Sequence, residues 1–288
     1  MMNTLKLYYQ HKTNNFGDAL NYNIFSDLFS CNIKTVRPYQ ADAIGIGSIL
    51  NRIFYEPGIS IISRKNINRK IGSIINKKPI NILGSGFIND ISDYYPDLKL
   101  FRPINLVGIR GRKSLDIIRK NVGNICDDFF IGDPGLLISD FKFKSINKRF
   151  DIGIIPHEVD KNMKHLSSIS KKKNICILNP NDPTIKFIEN VLSCETIASS
   201  SLHGLIAADS FHIPNLWIKL SNRIIGNDFK YHDYYSSYGL EQSFVDLTQN
   251  NLNLISKNFI TDKYKIDSDL IEKNKQSIKN HLNQFFQK

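Results

Sequence analysis

Short apolar runs recur along the chain, separated by polar stretches long enough to form helices. They predict strands over Leu5–Tyr9, Ala43–Gly47, Ile80–Leu83, Leu106–Ile109, Asp151–Ile155, Ile175–Leu178, Thr196–Ala198 and Asn215–Ile218. The runs are nearly continuous rather than alternating, so each strand is expected to be buried on both faces, as in a parallel sheet covered by helices. Helices are predicted between them over Ala19–Leu28, Lys113–Asn121, Thr184–Leu192 and His203–Ser210. Such alternation predicts an α/β architecture. Near the end, Asp267–Lys288 carries Ile271, Ile278, Leu282 and Phe285 on one stripe of an amphipathic helix.

The charged stretch Phe141–Phe150 follows Gly132-Asp133-Pro134 and precedes a fresh strand. A boundary there predicts two α/β domains, 1–145 and 146–288, each with its own β-α alternation. The C-terminal helix is free to pack back on either, the N-terminal domain included.

With 288 residues, 41% hydrophobic and 23% charged, the composition is that of a globular protein and argues against general disorder. No window approaches the roughly 20 apolar residues of a membrane span. MMNTLKLYYQHK lacks the basic-then-apolar pattern of a secretory signal, so the expectation is a cytoplasmic protein. Cys31, Cys126, Cys176 and Cys194 are scattered, with no CxxC pair; they are expected to be reduced core residues rather than disulfide partners or zinc ligands. Asp127-Asp128 reads as the polar end of a strand rather than a magnesium site, and no metal is expected.

The net charge of +11 is the one compositional lean. The basic residues are dispersed, as in Lys171-Lys172-Lys173 beside Asn174, and no nucleic-acid-binding motif accompanies them. A positive field draws anionic small molecules or an anionic membrane surface instead.

Ligands of open α/β sheets bind beyond the carboxyl ends of the strands. The segments found there are Gly45-Ile46-Gly47-Ser48, Gly84-Ser85-Gly86, Gly108-Ile109-Arg110-Gly111-Arg112-Lys113, Ile155-Pro156-His157 and Ser199-Ser200-Ser201-Leu202-His203-Gly204. Arg110, Arg112 and Lys113 stand where a strand gives way to a helix, a place where guanidinium groups and the helix end converge on phosphate or carboxylate. A solvated helix start is the alternative. His203 follows three serines and opens a helix of small apolar residues, which suits an acid or base beside a bound anion. Pattern alone leaves this open against a hydrogen-bonded structural histidine. His157 is placed to face the same cleft, whereas His212, between Phe211 and Pro214, reads as structural. Asp233 and Tyr234, within Phe229-Lys230-Tyr231-His232-Asp233-Tyr234-Tyr235, suit a sugar site or an aromatic helix face.

In order stand Asn15-Phe16-Gly17-Asp18, Gly47-Ser48-Ile49-Leu50, Gly84-Ser85-Gly86-Phe87, Arg110-Gly111, Gly132-Asp133-Pro134, Ile155-Pro156-His157 and Ser201-Leu202-His203-Gly204. With these motifs the chain resembles the polysaccharide pyruvyl transferase family, especially its exopolysaccharide-type branch, from about residue 5 to 240. The segment from Phe229 to Tyr235 resembles that branch as well.

The resemblance implies two Rossmann-like domains facing a central cleft, similar to GT-B glycosyltransferases. It implies transfer of a pyruvyl group from phosphoenolpyruvate to a sugar of a bacterial surface glycan as a ketal, with His203 as general acid. The donor is a co-substrate, and no further cofactor is implied. Many family members carry Arg two residues before the histidine, where this chain has Ser201. The donor's anions are then expected on Arg110, Arg112, Lys113, Ser201, Leu202, Gly204, Lys219 and Lys230. The rest of the cleft is expected from Asn15, Asp18, Ser48, Ser85, His157, Asp233 and Tyr234. The acceptor is a glycan, commonly lipid-linked, which allows peripheral contact with the inner face of the cell membrane; no nucleic acid is implied. The rival functions are a nucleotide-sugar glycosyltransferase of the same architecture and an idle scaffold subunit of glycan assembly.

Overall fold

The computed structural model describes residues 4–11, 15–54, 64–91, 99–123, 125–163, 166, 174–248 and 255–287. The lysine run at 171–173 lies outside them. Among the described residues eleven strands form two sheets, parallel throughout. The first holds β1 (Thr4–Tyr8), β2 (Asn32–Thr35), β3 (Ala43–Ile44), β4 (Ile80–Leu83), β5 (Ile104–Ile109) and β6 (Phe130–Ile131), in the order β2-β1-β3-β4-β5-β6. The second holds β7 (Phe150–Ile155), β8 (Ile175–Ile177), β9 (Cys194–Ser199), β10 (Asn215–Lys219) and β11 (Val245–Asp246), in the order β11-β10-β9-β7-β8. Counted from its own first strand, each sheet runs 2-1-3-4-5, the first adding a sixth. Strand order therefore reverses between β1 and β3 in one sheet and between β7 and β9 in the other. Loops leaving those pairs of strands diverge to opposite faces and open a crevice.

The α-helices named among the described residues are α1 (Phe16–Tyr22), α2 (Arg64–Ile75), α3 (Arg112–Val122), α4 (Thr184–Leu192), α5 (Leu202–Ser210), α6 (Phe229–Ser236), α7 (Lys257–Lys263) and α8 (Ser268–Phe286). Helix α1 starts three residues before its predicted position because the Asn15 side chain accepts from Gly17 N at 2.9 Å, satisfying an orphan donor. It runs on as a π-helical turn over Asn23–Leu28. Helix α5 buries every residue from Gly204 to Ser210, on all sides, which explains its small apolar composition. It packs between β9 and β10 of the second sheet and the 3₁₀ segment Pro134–Asp140 that follows β6. Helix α8 lies against β5, β6 and the same segment, burying Ile271, Ile278 and Leu282.

One core cluster joins the sheets: Leu7, Phe16, Leu83 and Phe130 from the first half pack continuously with Ile155, Ile197, Leu205 and Trp217 from the second. Separate clusters around Ile82 and Leu106, and around Ile154 and Ile218, fill the outer faces. The cysteines correct one expectation. All four are free, but only Cys194 is buried; Cys31 and Cys176 are partly exposed and Cys126 is exposed, on the irregular stretch before β6. Among the described residues no helix is long and apolar enough to cross a membrane.

Candidate active site

The crevices of the two sheets face each other across a cavity of about 340 Å³. Gln10, Asn15, Asp18, Ser48, Asn51, Arg52 and Ile88 line it from the first half; His157, Glu158, Ser201, Leu202, His203 and Lys230 line it from the second. The loop after β7 delivers His157, the loop after β9 delivers Ser201 to His203, and α6 delivers Lys230. Hydrogen bonds lock the second-half loops together: His157 N donates to Ser200 Oγ at 2.8 Å, and Tyr231 Oη donates to the Ser200 carbonyl at 2.5 Å.

His203 sits in the first turn of α5, and its ring is pressed against α1. A Cβ on Gly17 would stand 2.0 Å from His203 Nδ1, so only glycine lets the helix come this close. His203 Nε2 is buried and has no hydrogen-bond partner. Burial pushes the His203 pKa down to about 3, helped by the positive charges of Lys230 and Arg110 and by His157. In the free protein the imidazole is therefore neutral at physiological pH.

Lys230 is buried, with Nζ 3.2 Å from His157 Nε2. Among the described residues no carboxylate comes within ion-pairing distance of it. Burial first, and the neighbouring Arg110 second, lower its pKa to about 8. Burial, with Lys230 second, pushes His157 down to about 3, so its neutral ring accepts from the ammonium. Lys230 thus offers the cavity a cation with little internal compensation, held close to the unpartnered histidine nitrogen.

Arg110 lies one layer behind. Its guanidinium is fully buried, donating from Nε to Asp233 Oδ2 at 2.9 Å, from Nη1 to Ser48 Oγ at 2.5 Å and from Nη2 to the Phe87 carbonyl at 2.6 Å. Gly86 makes room for it: a Cβ there would meet Arg110 Cζ at 2.4 Å. Asp233 also accepts from Ser114 N and Ser114 Oγ, both at 2.7 Å. The start of α3, where an external anion is expected from sequence, thus holds the protein's own carboxylate. Arg110 reaches the cavity only through Ser48, whose hydroxyl keeps its hydrogen for a ligand.

The other predicted positions lie apart. Arg112 and Lys113 are exposed on α3, and Lys113 faces Asp90 and His232 in a separate pocket. Lys219 stands over the Phe244 ring, 4.7 Å from its centroid, outside the cavity. Ser85 is buried and donates to the Gly47 carbonyl at 2.8 Å. Tyr234 is buried behind α6 and donates to Asp209 Oδ2 at 2.7 Å. Gly204 packs on Ser199 and Ile155 beneath the helix. His212, outside the site, holds a φ of 55° and meets Glu272 Oε1 at 2.8 Å.

Several lining residues escape the sequence reading. Arg52 is exposed at the rim, four residues beyond Ser48, and Glu158 immediately follows His157. Adjacency to a motif was the only signal for either. Asn51 carried the same signal, directly after Leu50, and Gln10 only its place just past the predicted strand Leu5–Tyr9. Among the described residues no group of three or more His, Cys, Asp or Glu side chains is arranged to hold a metal. Asp127 pairs instead with Arg119 at 3.0 Å, and Asp128 with His281 at 3.4 Å.

Residues 4–222 match the family model described as "Polysaccharide pyruvyl transferase". "Uncharacterized protein L143" of Acanthamoeba polyphaga mimivirus is 33% identical over 221 residues, 72% of each chain. "Succinoglycan biosynthesis protein ExoV" of Rhizobium meliloti (strain 1021) is 24% identical over 234 residues, 81% of this chain and 64% of that protein. With its matched segment covering the first sheet, most of the second and every cavity-lining residue except Lys230, the chain belongs to the polysaccharide pyruvyl transferase family.

Proposed function

We propose that this protein transfers a pyruvyl group from phosphoenolpyruvate to a sugar of an exopolysaccharide-type glycan, closing a ketal on two hydroxyls, with His203 as the general acid. The observation that carries this reading is the buried, unpartnered His203 Nε2 on a cavity that also holds Lys230. Family membership supports the pyruvyl transfer itself, and the likeness to a succinoglycan biosynthesis protein supports an exopolysaccharide acceptor. Two Rossmann-like halves around one cavity suit a GT-B-like division of labour between donor and acceptor.

The chemistry needs one proton at one carbon. Phosphoenolpyruvate is an enol ether of phosphate, and protonation of its methylene carbon leaves an oxocarbenium-like centre at the carbon bearing the phosphate. A sugar hydroxyl adds there and gives up its proton; the carbon–oxygen bond to phosphate then breaks, and inorganic phosphate leaves with its electron pair. A second hydroxyl attacks the same carbon and closes the ketal. Of the two hydroxyl protons, one restores the acid and the other leaves on phosphate.

A histidine with a pKa of about 3 is not in its acid form near neutral pH until something raises that pKa. The donor does so: its phosphate and carboxylate bring negative charge beside Nε2 and favour the imidazolium. Lys230, Arg52 at the rim and the Arg110-polarised Ser48 hydroxyl are the groups available to hold those anions, in place of an arginine at position 201. Protonation coupled to binding keeps the acid silent when the cavity has no donor.

Thermal-shift titration with phosphoenolpyruvate, set against nucleoside diphosphates, tests the donor. Stabilisation by phosphoenolpyruvate supports the reading, and stabilisation by nucleoside diphosphates alone would favour a glycosyltransferase. Mass spectrometry of oligosaccharides incubated with phosphoenolpyruvate tests the transfer itself.

A further inference from the structure

A second and larger cavity, about 1300 Å³, opens at the carboxyl ends of β1 and β2 and shares Gln10 and Arg52 with the candidate active site. It exceeds the roughly 300–1,000 Å³ of a pocket for a compact small molecule, and suits an extended chain instead. Its lining has a consistent character. Lys6, Lys34, Arg37 and Arg52 are exposed along it, and no Asp or Glu stands among its described lining residues. Tyr8 and Tyr39, both half-buried, contribute aromatic surface, Tyr9 is buried in the groove wall, and Gln40, Asn68 and Asn76 contribute amides. Arg37 Nη1 donates to Tyr39 Oη at 3.3 Å, and Thr35 Oγ1 donates to Tyr9 Oη at 3.4 Å, which fixes two of the rings.

Aromatic faces and amides suit sugar rings and their hydroxyls. A row of exposed cations without acidic partners suits a ligand that is itself negative. We propose that this groove holds a carboxylate-bearing stretch of the glycan acceptor, remote from the reacting hydroxyls and leading to them past Gln10 and Arg52. The proposal rests on the pyruvyl-transfer reading, which makes the acceptor a glycan. That reaction also supplies one source of the charge, because every pyruvyl ketal adds a carboxylate to the chain it modifies. Uronic acid residues of the glycan would supply the same group.

The test is direct binding, without donor and without turnover, by fluorescence anisotropy at low salt. The probes are a labelled oligogalacturonate, its neutral methyl ester, and a pyruvylated galacto-oligosaccharide beside the same oligosaccharide without pyruvate. An exposed ion pair contributes about two- to fivefold in affinity, so the charged probes should bind about tenfold more tightly than their neutral counterparts. K34A/R37A should lose most of that preference, and 0.5 M salt should remove it. K265A/K273A, a matched loss of two exposed charges that do not line the groove, should keep it. Preference for both charged probes identifies carboxylate as the recognised group; preference for the pyruvylated probe alone identifies the enzyme's own product. Equal affinity for charged and neutral probes overturns the proposal, as does an equal loss in the control variant. Pyruvyl transfer without the binding preference sinks the groove alone, whereas the preference without transfer sinks the reaction and leaves the groove standing.

Discussion

Asp233 on α6 holds Arg110 at the end of β5 with Oδ2 2.8 Å from Nη2, and neither side chain is exposed. The pair ties the two halves of the molecule at the back of the candidate active site, and the same carboxylate caps α3 through Ser114. Removing one partner of a buried pair leaves the other charged and desolvated. D233A is expected to cost about 3–5 kcal/mol of stability. Urea denaturation checks this, and a loss below about 1 kcal/mol would show that Arg110 finds water or another partner.

Gly17 lies against the face of His203 nearest Nδ1. G17A must displace either α1 or the imidazole. Misplacing a catalytic group by about 1 Å can cost about 10²-fold in rate. The variant is expected to fold, to bind donor and to turn over about 10²-fold more slowly. Wild-type kcat in G17A would mean that the ring's position is unimportant.

Lys230 has its pKa lowered to about 8 and is charged below that pH. As the pH rises through 8 the ammonium is lost, so KM for phosphoenolpyruvate should be flat near neutrality and climb above about pH 8. K230R, whose guanidinium stays charged, should move that limb to higher pH. An identical profile in K230R would remove Lys230 from donor binding.

His157 and His203 both have folded pKa values near 3, against about 6.5 for an unperturbed histidine. Each takes up a proton on unfolding at pH values between these limits. Their contribution to stability is present above about pH 6.5 and is lost progressively as the pH falls toward 3. Asp133 and Asp209, raised by burial to about 6, act in the opposite sense below that pH, so the difference between variants is the readout: from pH 7 to pH 4.5 the wild-type Tm should fall further, or rise less, than that of H157N. An identical pH dependence in the two proteins would contradict the burial of the His157 ring.

The central strands were legible because burial on both faces leaves an unbroken apolar run, as in Ile80–Leu83. Three strands were not. β2 lies at a sheet edge, where polar Asn32 and Lys34 alternate with half-buried neighbours, and β6 and β11 have two residues each. Helix α2 was hidden by its polar composition, with Ile67, Ile71 and Ile74 exposed.

Within the site, His157, His203 and Lys230 were legible because each lies in a motif, two of them just past a strand end. The partner of Arg110 was not. Asp233 lies 123 positions away and meets Arg110 only because the two sheets pack together. The same remoteness turned the predicted anion site at the start of α3 into an internal cap. Arg52, at the junction of the two cavities, lies just past the Gly47–Leu50 motif and belongs to no motif of its own.

The central claim is that His203 delivers the proton. The measurement is pyruvyl transfer by H203A and H203N, read by mass spectrometry of the acceptor and by phosphate release, with circular dichroism and phosphoenolpyruvate binding as controls. Loss of a general acid costs about 10²–10⁴-fold. Both variants are expected to fold and bind donor while transfer falls by that factor. Transfer at the wild-type rate in either variant would contradict the assignment.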